Sequence, residues 1–159
     1  MNETFRFVII GSGNICSTYF NAVRQIDGVS IVGLVSRAAK RPAYADDTIE
    51  IALDLNQIKS HYDAVIIATP NGLHHQSAIK AAQLGKHVLT EKPLDVTMAN
   101  METMIHVCKD AGVKLAVCFQ HRMSPDNRAI KKMLEDCDLG KIYAADYIVR
   151  CWRDQAYYD

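Results

Sequence analysis

A lysine and a proline lie directly after an apolar run, at the position in this sequence best suited to proton transfer. The run Lys86–Thr90 has the composition of a buried strand, and Glu91, Lys92 and Pro93 follow it. Pro93 fixes the backbone and excludes a helix at this point. An ammonium group there could exchange a proton with a hydroxyl, polarise a carbonyl or form an ion pair with Glu91. Lys92 is therefore the candidate catalytic residue.

A glycine turn near the amino terminus is the second candidate site. The apolar run Phe5–Ile10 leads into this turn, and a helical pattern follows it. Glycines allow a tight turn and a close approach of ligand to backbone, and the free N–H groups of the new helix attract an anion. The pattern predicts that a dinucleotide diphosphate binds here, at Gly11, Ser12, Gly13, Asn14 and Ile15. Cys16 replaces the usual third glycine and is small enough for the helix to approach the sheet.

The residues after the second predicted strand bear on which dinucleotide binds. A carboxylate about 20 residues beyond the glycines would bind the ribose hydroxyls of NAD. This chain instead has Ser36 and Arg37 after the strand Val29–Val35, and no carboxylate before Asp46. A hydroxyl and a guanidinium suit a phosphate group. The sequence therefore favours NADP over NAD, with a solvated loop of incidental charge as the alternative.

Polar residues also end the predicted strand Asp63–Ala68. Thr69, Pro70 and Asn71 are expected to face the same crevice, although Asn71 could instead cap the helix that follows. In that helix, His75 falls on the apolar face and is expected to be packed. His74 points elsewhere and is expected to reach the crevice.

The next predicted strand, Lys114–Phe119, is followed by further polar side chains. Gln120 and Arg122 are expected at the rim of the crevice, where Arg122 could contact a phosphate, a carboxamide or a carboxylate.

Strand and helix patterns alternate along the chain with short links. The helical patterns lie between the apolar runs and mostly end at a glycine. This alternation predicts an α/β fold with a doubly wound parallel sheet and right-handed crossovers. Strands are predicted at 5–10, 29–35, 48–51, 63–68, 86–90 and 114–119, and Asp54 is expected to cap a short helix.

The carboxyl-terminal part of the sequence is predicted to be organised differently. Ser124 and Pro125 begin a helix expected to bury its apolar side chains, Ile130, Met133, Leu134 and Cys137. The run Ile142–Cys151 is predicted to be the first strand of a second α/β domain that is otherwise absent. The expected domains are residues 1–123 and 124–159.

Composition excludes several classes of protein. With 18 basic and 18 acidic residues the formal charge is zero, which gives no electrostatic argument for nucleic acid or a membrane surface. No apolar run approaches a membrane span, and no signal peptide is evident, so a cytoplasmic protein is expected. The five cysteines form no CxxC pair and are expected to be small buried hydrophobes, and no metal site is predicted.

Together these segments resemble the glucose–fructose oxidoreductase / inositol dehydrogenase / rhizopine catabolism (Gfo/Idh/MocA) family. The resemblance covers nearly the whole chain and is carried by Gly11–Cys16, Ala68–Asn71 with His74, Ala82–Pro93 and Phe119–Arg122. It implies a Rossmann domain that binds NAD or NADP, followed by an α/β domain with an open sheet. It also implies hydride transfer between the nicotinamide and a sugar, sugar-acid or polyol hydroxyl, in a homo-oligomer.

The resemblance also assigns roles to residues. It implies that Lys92, in the turn with Glu91, lies beside the reacting carbon and the cofactor, and that members with Ser-Arg after the second strand use NADP. The chain departs from the family in length, because the aspartate and histidine that members place near the substrate would lie beyond residue 159. The chain is therefore expected to bind cofactor without most of the substrate pocket.

Two other functions fit parts of the sequence. A non-catalytic dinucleotide sensor is one, because the family includes a transcriptional co-repressor that binds the cofactor and performs no chemistry. An S-adenosylmethionine-binding domain is the other, since glycine turns after a first strand also bind that ligand. The Glu-Lys-Pro turn has no purpose in such a domain.

Overall fold

The computed structural model describes residues 4–38 and 40–155. Six parallel strands form one sheet in the order β3-β2-β1-β4-β5-β6. The strands are β1 (Phe5–Ile10), β2 (Val29–Val35), β3 (Glu50–Ala52), β4 (Ala64–Ile67), β5 (His87–Glu91) and β6 (Leu115–Cys118). The helices are α1 (Asn14–Val23), α2 (His74–Gln83), α3 (Met98–Asp110) and α4 (Pro125–Glu135). Short 3₁₀ turns span Leu55–Gln57, Asn71–Leu73 and Gln120–Met123.

The central strands are apolar on both faces, and each face packs against different helices. Successive residues of β1, whose side chains point to opposite faces, show this. Val8 belongs to the core that includes Ala78 of α2 and Met104 of α3. Ile9 belongs to the core that includes Phe20 of α1. Helices cover both faces, as a buried parallel sheet requires. The predicted doubly wound parallel sheet is confirmed.

The strand order reverses next to β1, and this reversal creates a crevice. From β1 the chain passes to β2 and β3 on one side, and then returns to β4 on the other side of β1. The helices that follow β1 and β4 therefore lie on opposite faces of the sheet. The loops that follow the carboxyl ends of these two strands diverge. Ligands of open α/β sheets bind at such a point.

The contacts divide the chain into two units, residues 1–119 and 120–159, and the sheet lies in the first. In the second unit, α4 begins as predicted, because the Ser124 side chain accepts a hydrogen bond from the N–H of Asn127 at 3.3 Å and Pro125 is the first helical residue. None of the helices in the described part of the chain is both long and apolar enough to cross a membrane.

Two expectations for the second unit are wrong. The predicted strand Ile142–Cys151 has no regular secondary structure, and an isolated strand has no partner for its backbone hydrogen bonds. The expected burial of the apolar residues of α4 and the turn after it is not observed: the exposed residues are Ile130, Met133, Leu134 and Cys137. The cysteine expectation holds for Cys16 and Cys108, which are buried, whereas Cys118 is half-buried and Cys137 and Cys151 are exposed.

Asp95 ties the loop after β5 to two helices. Its carboxylate is 1% exposed and accepts hydrogen bonds from the N–H of Val96 at 2.7 Å, the side chain of Asn100 at 2.9 Å and the N–H of His75 at 3.1 Å. Burial alone would raise the pKa of Asp95, but these hydrogen bonds outweigh burial and hold the pKa well below its usual range. Asp95 therefore fixes the segment that carries Lys92.

Replacing Asp95→Asn is expected to lower the free energy of unfolding by about 1.5–3 kcal/mol at pH 7. The amide NH₂ of the asparagine would then face N–H groups that had donated hydrogen bonds to a carboxylate. A carboxyl with a lowered pKa stabilises the fold above its unfolded pKa of about 3.9, and this stabilisation is lost as the pH falls towards the folded pKa. The gap between wild type and variant should therefore narrow below about pH 4. Urea unfolding between pH 7 and pH 3 measures both effects.

The matched control is Asp27→Asn, which changes an exposed aspartate. Its stability should stay within about 0.5 kcal/mol of wild type at every pH. A gap between wild type and Asp95→Asn that does not change with pH would contradict the assignment of a lowered pKa to Asp95.

Candidate dinucleotide site

A cleft of about 740 Å³ lies at the carboxyl ends of β1, β2, β3 and β4. Its walls come from the glycine turn, the end of β2, the turn after β3 and the start of α2. The lining residues are Ile10, Gly11, Ser12, Gly13, Val35, Ser36, Arg37, Ala38, Leu53, Asp54, Leu55, Ala68, Thr69, Pro70, Leu73, Gln76, Ser77 and Lys80. All of them belong to the first unit.

Gly11 makes the turn out of β1 possible. It has a positive φ of 118°, and a Cβ at this position would lie 2.4 Å from the carbonyl oxygen of Ala68, at the end of β4. Its N–H donates to the carbonyl of Val35 at 2.9 Å. A side chain would force apart the ends of two paired strands, so glycine is required here.

The amino terminus of α1 is open towards an anion. Gly13 is the N-cap residue, no described side chain hydrogen-bonds to the first N–H groups of the helix, and the first turn carries no acidic residue. A Cβ added to Gly13 would meet nothing within 4 Å, so the space beside it is free. Asn14 and Ile15 are exposed. This arrangement fits the negative charge of a diphosphate.

Thr69 supplies a polar group that lacks a partner. Its hydroxyl oxygen is buried with no hydrogen bond among the described residues, and the residue lines the cleft. A buried unpaired hydroxyl is costly, and rotation of the side chain would present it to a ligand. Pro70 also lines the cleft. Asn71 is exposed and begins a 3₁₀ turn, and no described side chain caps α2. The alternative prediction, that Asn71 caps this helix, is therefore wrong.

The two residues after β2 differ in their availability. Ser36 is buried, and its hydroxyl donates to the hydroxyl of Ser12 at 3.1 Å while accepting from the N–H of Ala38 at 3.3 Å. Arg37 is exposed and lines the cleft. Ser36 therefore shapes the cleft wall, and Arg37 carries the accessible cation.

The sequence predicted a packed His75 and a His74 that reaches the crevice, and the structure buries His74 more deeply than His75. His74 is fully buried, with Nε2 2.9 Å from the carbonyl oxygen of Thr69 and Nδ1 3.0 Å from that of Pro93. The side chain of His75 is 22% exposed and pairs with Asp95. His74 therefore joins the turns that follow β4 and β5. The predicted contact of His74 with the cofactor stays a prediction.

The lysine turn lies one strand beyond the cleft. β5 pairs with β4, so Lys92 emerges at the same sheet edge as Thr69. Lys92 is exposed, is not among the residues that line the cleft, and makes no ion pair within the described part of the chain. The Lys92–Pro93 peptide is cis.

Glu91 is held by groups other than the Lys92 ammonium. Its carboxylate accepts a hydrogen bond from the Tyr19 hydroxyl at 2.7 Å and from the backbone N–H of Lys92 at 3.2 Å. Burial, followed by hydrogen bonds to Cys118 and Glu91, raises the pKa of Tyr19, so this phenol remains a donor. Among the described residues, the Lys92 ammonium forms no ion pair with Glu91.

Comparison with known proteins fits this geometry. The sequence profile of an oxidoreductase family with an NAD-binding Rossmann fold (GFO_IDH_MocA) matches residues 5–119. The chain belongs to the Gfo/Idh/MocA oxidoreductase family. The suspected resemblance is thus confirmed, and the sheet described above is the NAD-binding Rossmann domain of this family.

Individual Gfo/Idh/MocA relatives are enzymes that act on polyols and sugars. The chain is 31% identical over 147 residues to scyllo-inositol 2-dehydrogenase (NADP(+)) IolU of Bacillus subtilis, covering 89% of this chain and 45% of the relative. It is 30% identical over 152 residues to inositol 2-dehydrogenase of Rhizobium meliloti, covering 87% and 43%. The chain thus spans less than half the length of these relatives.

Solved structures show the same fold. The crystal structure of the WlbA dehydrogenase from Bordetella pertussis, in complex with NADH and UDP-GlcNAcA, matches with a TM-score of 0.78 and 29% identity. The match covers 90% of this chain and 43% of WlbA.

Several cleft residues of this Gfo/Idh/MocA domain were missed by sequence reasoning. Asp54 was expected only as a cap, and its carboxylate does accept from the N–H of Asn56 at 2.9 Å. It also pairs with Lys80 of α2, and both residues line the cleft beside Leu53 and Gln76. The position of Asp54 just after a short predicted strand, at the edge of the sheet where ligands bind, could have indicated that it lines the cleft.

Gln120 and Arg122 belong to the second unit, in the turn Gln120–Met123. Arg122 lines a concavity of about 410 Å³ with His121, Asn127 and Lys131. The predicted contact of Gln120 and Arg122 with the cofactor stays a prediction.

The two glycines of the turn are expected to respond differently to alanine. Gly13→Ala should leave the free energy of unfolding within about 1 kcal/mol of wild type, because its Cβ enters open space, yet lower the affinity for NAD(P)H at least tenfold by filling the anion site. Gly11→Ala should destabilise the fold by about 2 kcal/mol or more, because its Cβ meets backbone at a positive φ.

Chemical denaturation and titration followed by NAD(P)H fluorescence measure the two quantities. If Gly13→Ala binds the cofactor as tightly as the wild type, the diphosphate does not bind at this turn. Unchanged stability in Gly11→Ala would mean that the strand ends separate easily.

Proposed function

We propose that the cleft binds NAD(P), with the diphosphate at the turn Gly11–Ile15 and the nicotinamide towards Thr69, Pro70 and Asn71. Three features support this placement. Among the described residues, no side chain caps the first turn of α1, the space beside Gly13 is free, and the Thr69 hydroxyl lacks a partner. The relative IolU is named for NADP(+), and WlbA was solved with NADH. Both cofactors belong to the class proposed for this cleft.

The proposed activity is oxidation or reduction of a CH–OH group on a sugar, sugar acid or polyol. When bound, the nicotinamide supplies or accepts the hydride. Lys92 gives a proton to, or takes one from, the substrate oxygen at the same carbon. The observation that carries this role is that the Lys92 ammonium is exposed at the ligand edge of the sheet, while Tyr19 engages the neighbouring carboxylate of Glu91.

The protein elements around Lys92 act by positioning. His74 joins the turn of Thr69 to that of Pro93, and Asp95 joins the following loop to α2 and α3. Because the relatives are more than twice as long, we expect the chain alone to bind cofactor without turnover. The family resemblance favours a homo-oligomer for a full-length form.

Replacing Lys92→Ala in the natural full-length protein is expected to lower kcat by about 100-fold or more, the usual contribution of a positioned acid or base. The dissociation constant for NAD(P)H should change by less than about twofold, since the ammonium acts on the substrate. Steady-state rates with scyllo-inositol and a panel of sugars, together with cofactor titration, give both values.

The control is Lys109→Ala, an exposed lysine on α3 outside the cleft, which should retain full activity. Unchanged turnover in Lys92→Ala would exclude Lys92 from the mechanism. Cofactor binding without turnover of any substrate by the wild-type protein would favour the non-catalytic sensor.

We further propose that NADP is preferred over NAD. Arg37 lines the cleft, is exposed, and has no hydrogen bond or ion pair among the described residues, so its guanidinium is available to a ribose phosphate. Asp54, the carboxylate that lines the same cleft, is paired with Lys80 and with the N–H of Asn56. It is therefore less available to accept from ribose hydroxyls.

Arg37→Ala is expected to weaken NADPH binding about tenfold and to leave NADH binding within about twofold, because only NADPH carries the extra phosphate. Fluorescence titration with each cofactor measures the ratio. Lys59→Ala removes the same charge from an exposed position outside the cleft and should leave the ratio unchanged. Tighter binding of NADH than NADPH by the wild type would contradict the preference.

A further inference from the structure

Tyr44 lies in the connection between β2 and β3, outside the residues that line the cleft. Its hydroxyl donates a hydrogen bond to the carbonyl oxygen of Ser12 at 3.0 Å and lies 3.5 Å from the carbonyl oxygen of Gly13. Both carbonyls belong to the glycine turn. Tyr44 therefore contacts the turn without lining the cleft.

The geometry of the peptide bond links these carbonyls to the anion site. In a trans peptide, the C=O and N–H groups point in opposite directions. Because Tyr44 engages the carbonyl of Ser12, the N–H of Gly13 points away from Tyr44. The carbonyl of Gly13 sets the direction of the Asn14 N–H in the same way. These two N–H groups stand at the start of α1, where an anion would bind.

The helix that carries these N–H groups also holds Tyr44 in place. The Tyr44 ring packs against Phe20 of α1 with centroids 5.4 Å apart. The Arg24 guanidinium, just after α1, donates to the backbone carbonyl of Tyr44 at 2.9 Å and pairs with Asp46 at 2.6 Å. The ring contact with Phe20 and the hydrogen bond from Arg24 thus restrict the position of Tyr44.

The Tyr44 hydroxyl is a donor at neutral pH. Burial, followed by the neighbouring Cys16, raises the pKa of Tyr44 to about 12, so the phenol keeps its proton. Cys16, the residue in place of the third glycine of the turn, is buried beside Tyr44.

We propose that Tyr44 is a positioning residue that orients the N–H groups of Gly13 and Asn14 towards a diphosphate in the cleft. This inference rests on the proposed binding of a dinucleotide there. Tyr44 acts through the backbone and does not touch the ligand. It should therefore affect only the part of the affinity that the diphosphate contributes.

The test compares ADP with adenosine as ligands of the full chain. In Tyr44→Phe, affinity for ADP is expected to fall about tenfold, the effect of losing well-oriented hydrogen bonds to a charged group, while affinity for adenosine stays within about twofold. The control is Tyr62→Phe, a buried tyrosine in the core on the α2 and α3 side. It should leave the ratio of the two affinities unchanged. Calorimetry or NMR titration measures each affinity.

The possible results separate this inference from the proposed function. Equal loss of ADP and adenosine affinity in Tyr44→Phe, or an unchanged ratio, overturns the positioning role and leaves the cofactor site intact. Failure of the wild type to bind ADP overturns the cofactor site itself, and the inference with it.

A measurement on the wild type does not depend on the folding of any variant. The amide resonances of Gly13 and Asn14 are expected to shift when ADP is added and not when adenosine is added. If ADP binds by calorimetry and these two resonances do not shift, the positioning role of Tyr44 is overturned.

Discussion

The site depends on one constraint, the close approach of the carboxyl end of β1 to the carboxyl end of β4. With glycine at position 11, the backbone passes so close to the Ala68 carbonyl that no side chain fits. This lets β1 turn directly into α1 while β4 continues beside it. The helix start and the Thr69 turn therefore face one cleft, with the sheet as its floor. The Rossmann fold of the family provides this crevice.

Buried polar contacts behind the cleft give the site its rigidity. Loops that carry functional residues contribute few apolar contacts of their own, so they are ordered by hydrogen bonds to the scaffold. His74 joins the turns after β4 and β5, and Asp95 anchors the segment beyond Pro93 to two helices. Each of these side chains satisfies several backbone groups at once. Removal of one side chain therefore leaves more than one buried polar group unpaired.

Local patterns in the sequence predicted the elements of the fold and part of the site. Apolar runs marked the strands, and the glycine turn and the Glu-Lys-Pro turn followed them at the expected edge. The contacts of His74 and Tyr44 could not be read in this way, because each is made with backbone far along the chain. His74 meets a carbonyl 19 residues away, and Tyr44 meets one 32 residues away. The predicted strand Ile142–Cys151 was wrong because its apolar pattern required a partner strand that the described chain does not provide.

The position of the single tryptophan has a practical consequence for spectroscopy. Trp152 is 80% exposed and belongs to the second unit, whereas the sheet and the cleft belong to the first. An indole already surrounded by water changes its emission little when a protein denatures. Intrinsic tryptophan fluorescence is therefore a poor reporter of the melting of the sheet, which far-ultraviolet circular dichroism follows directly.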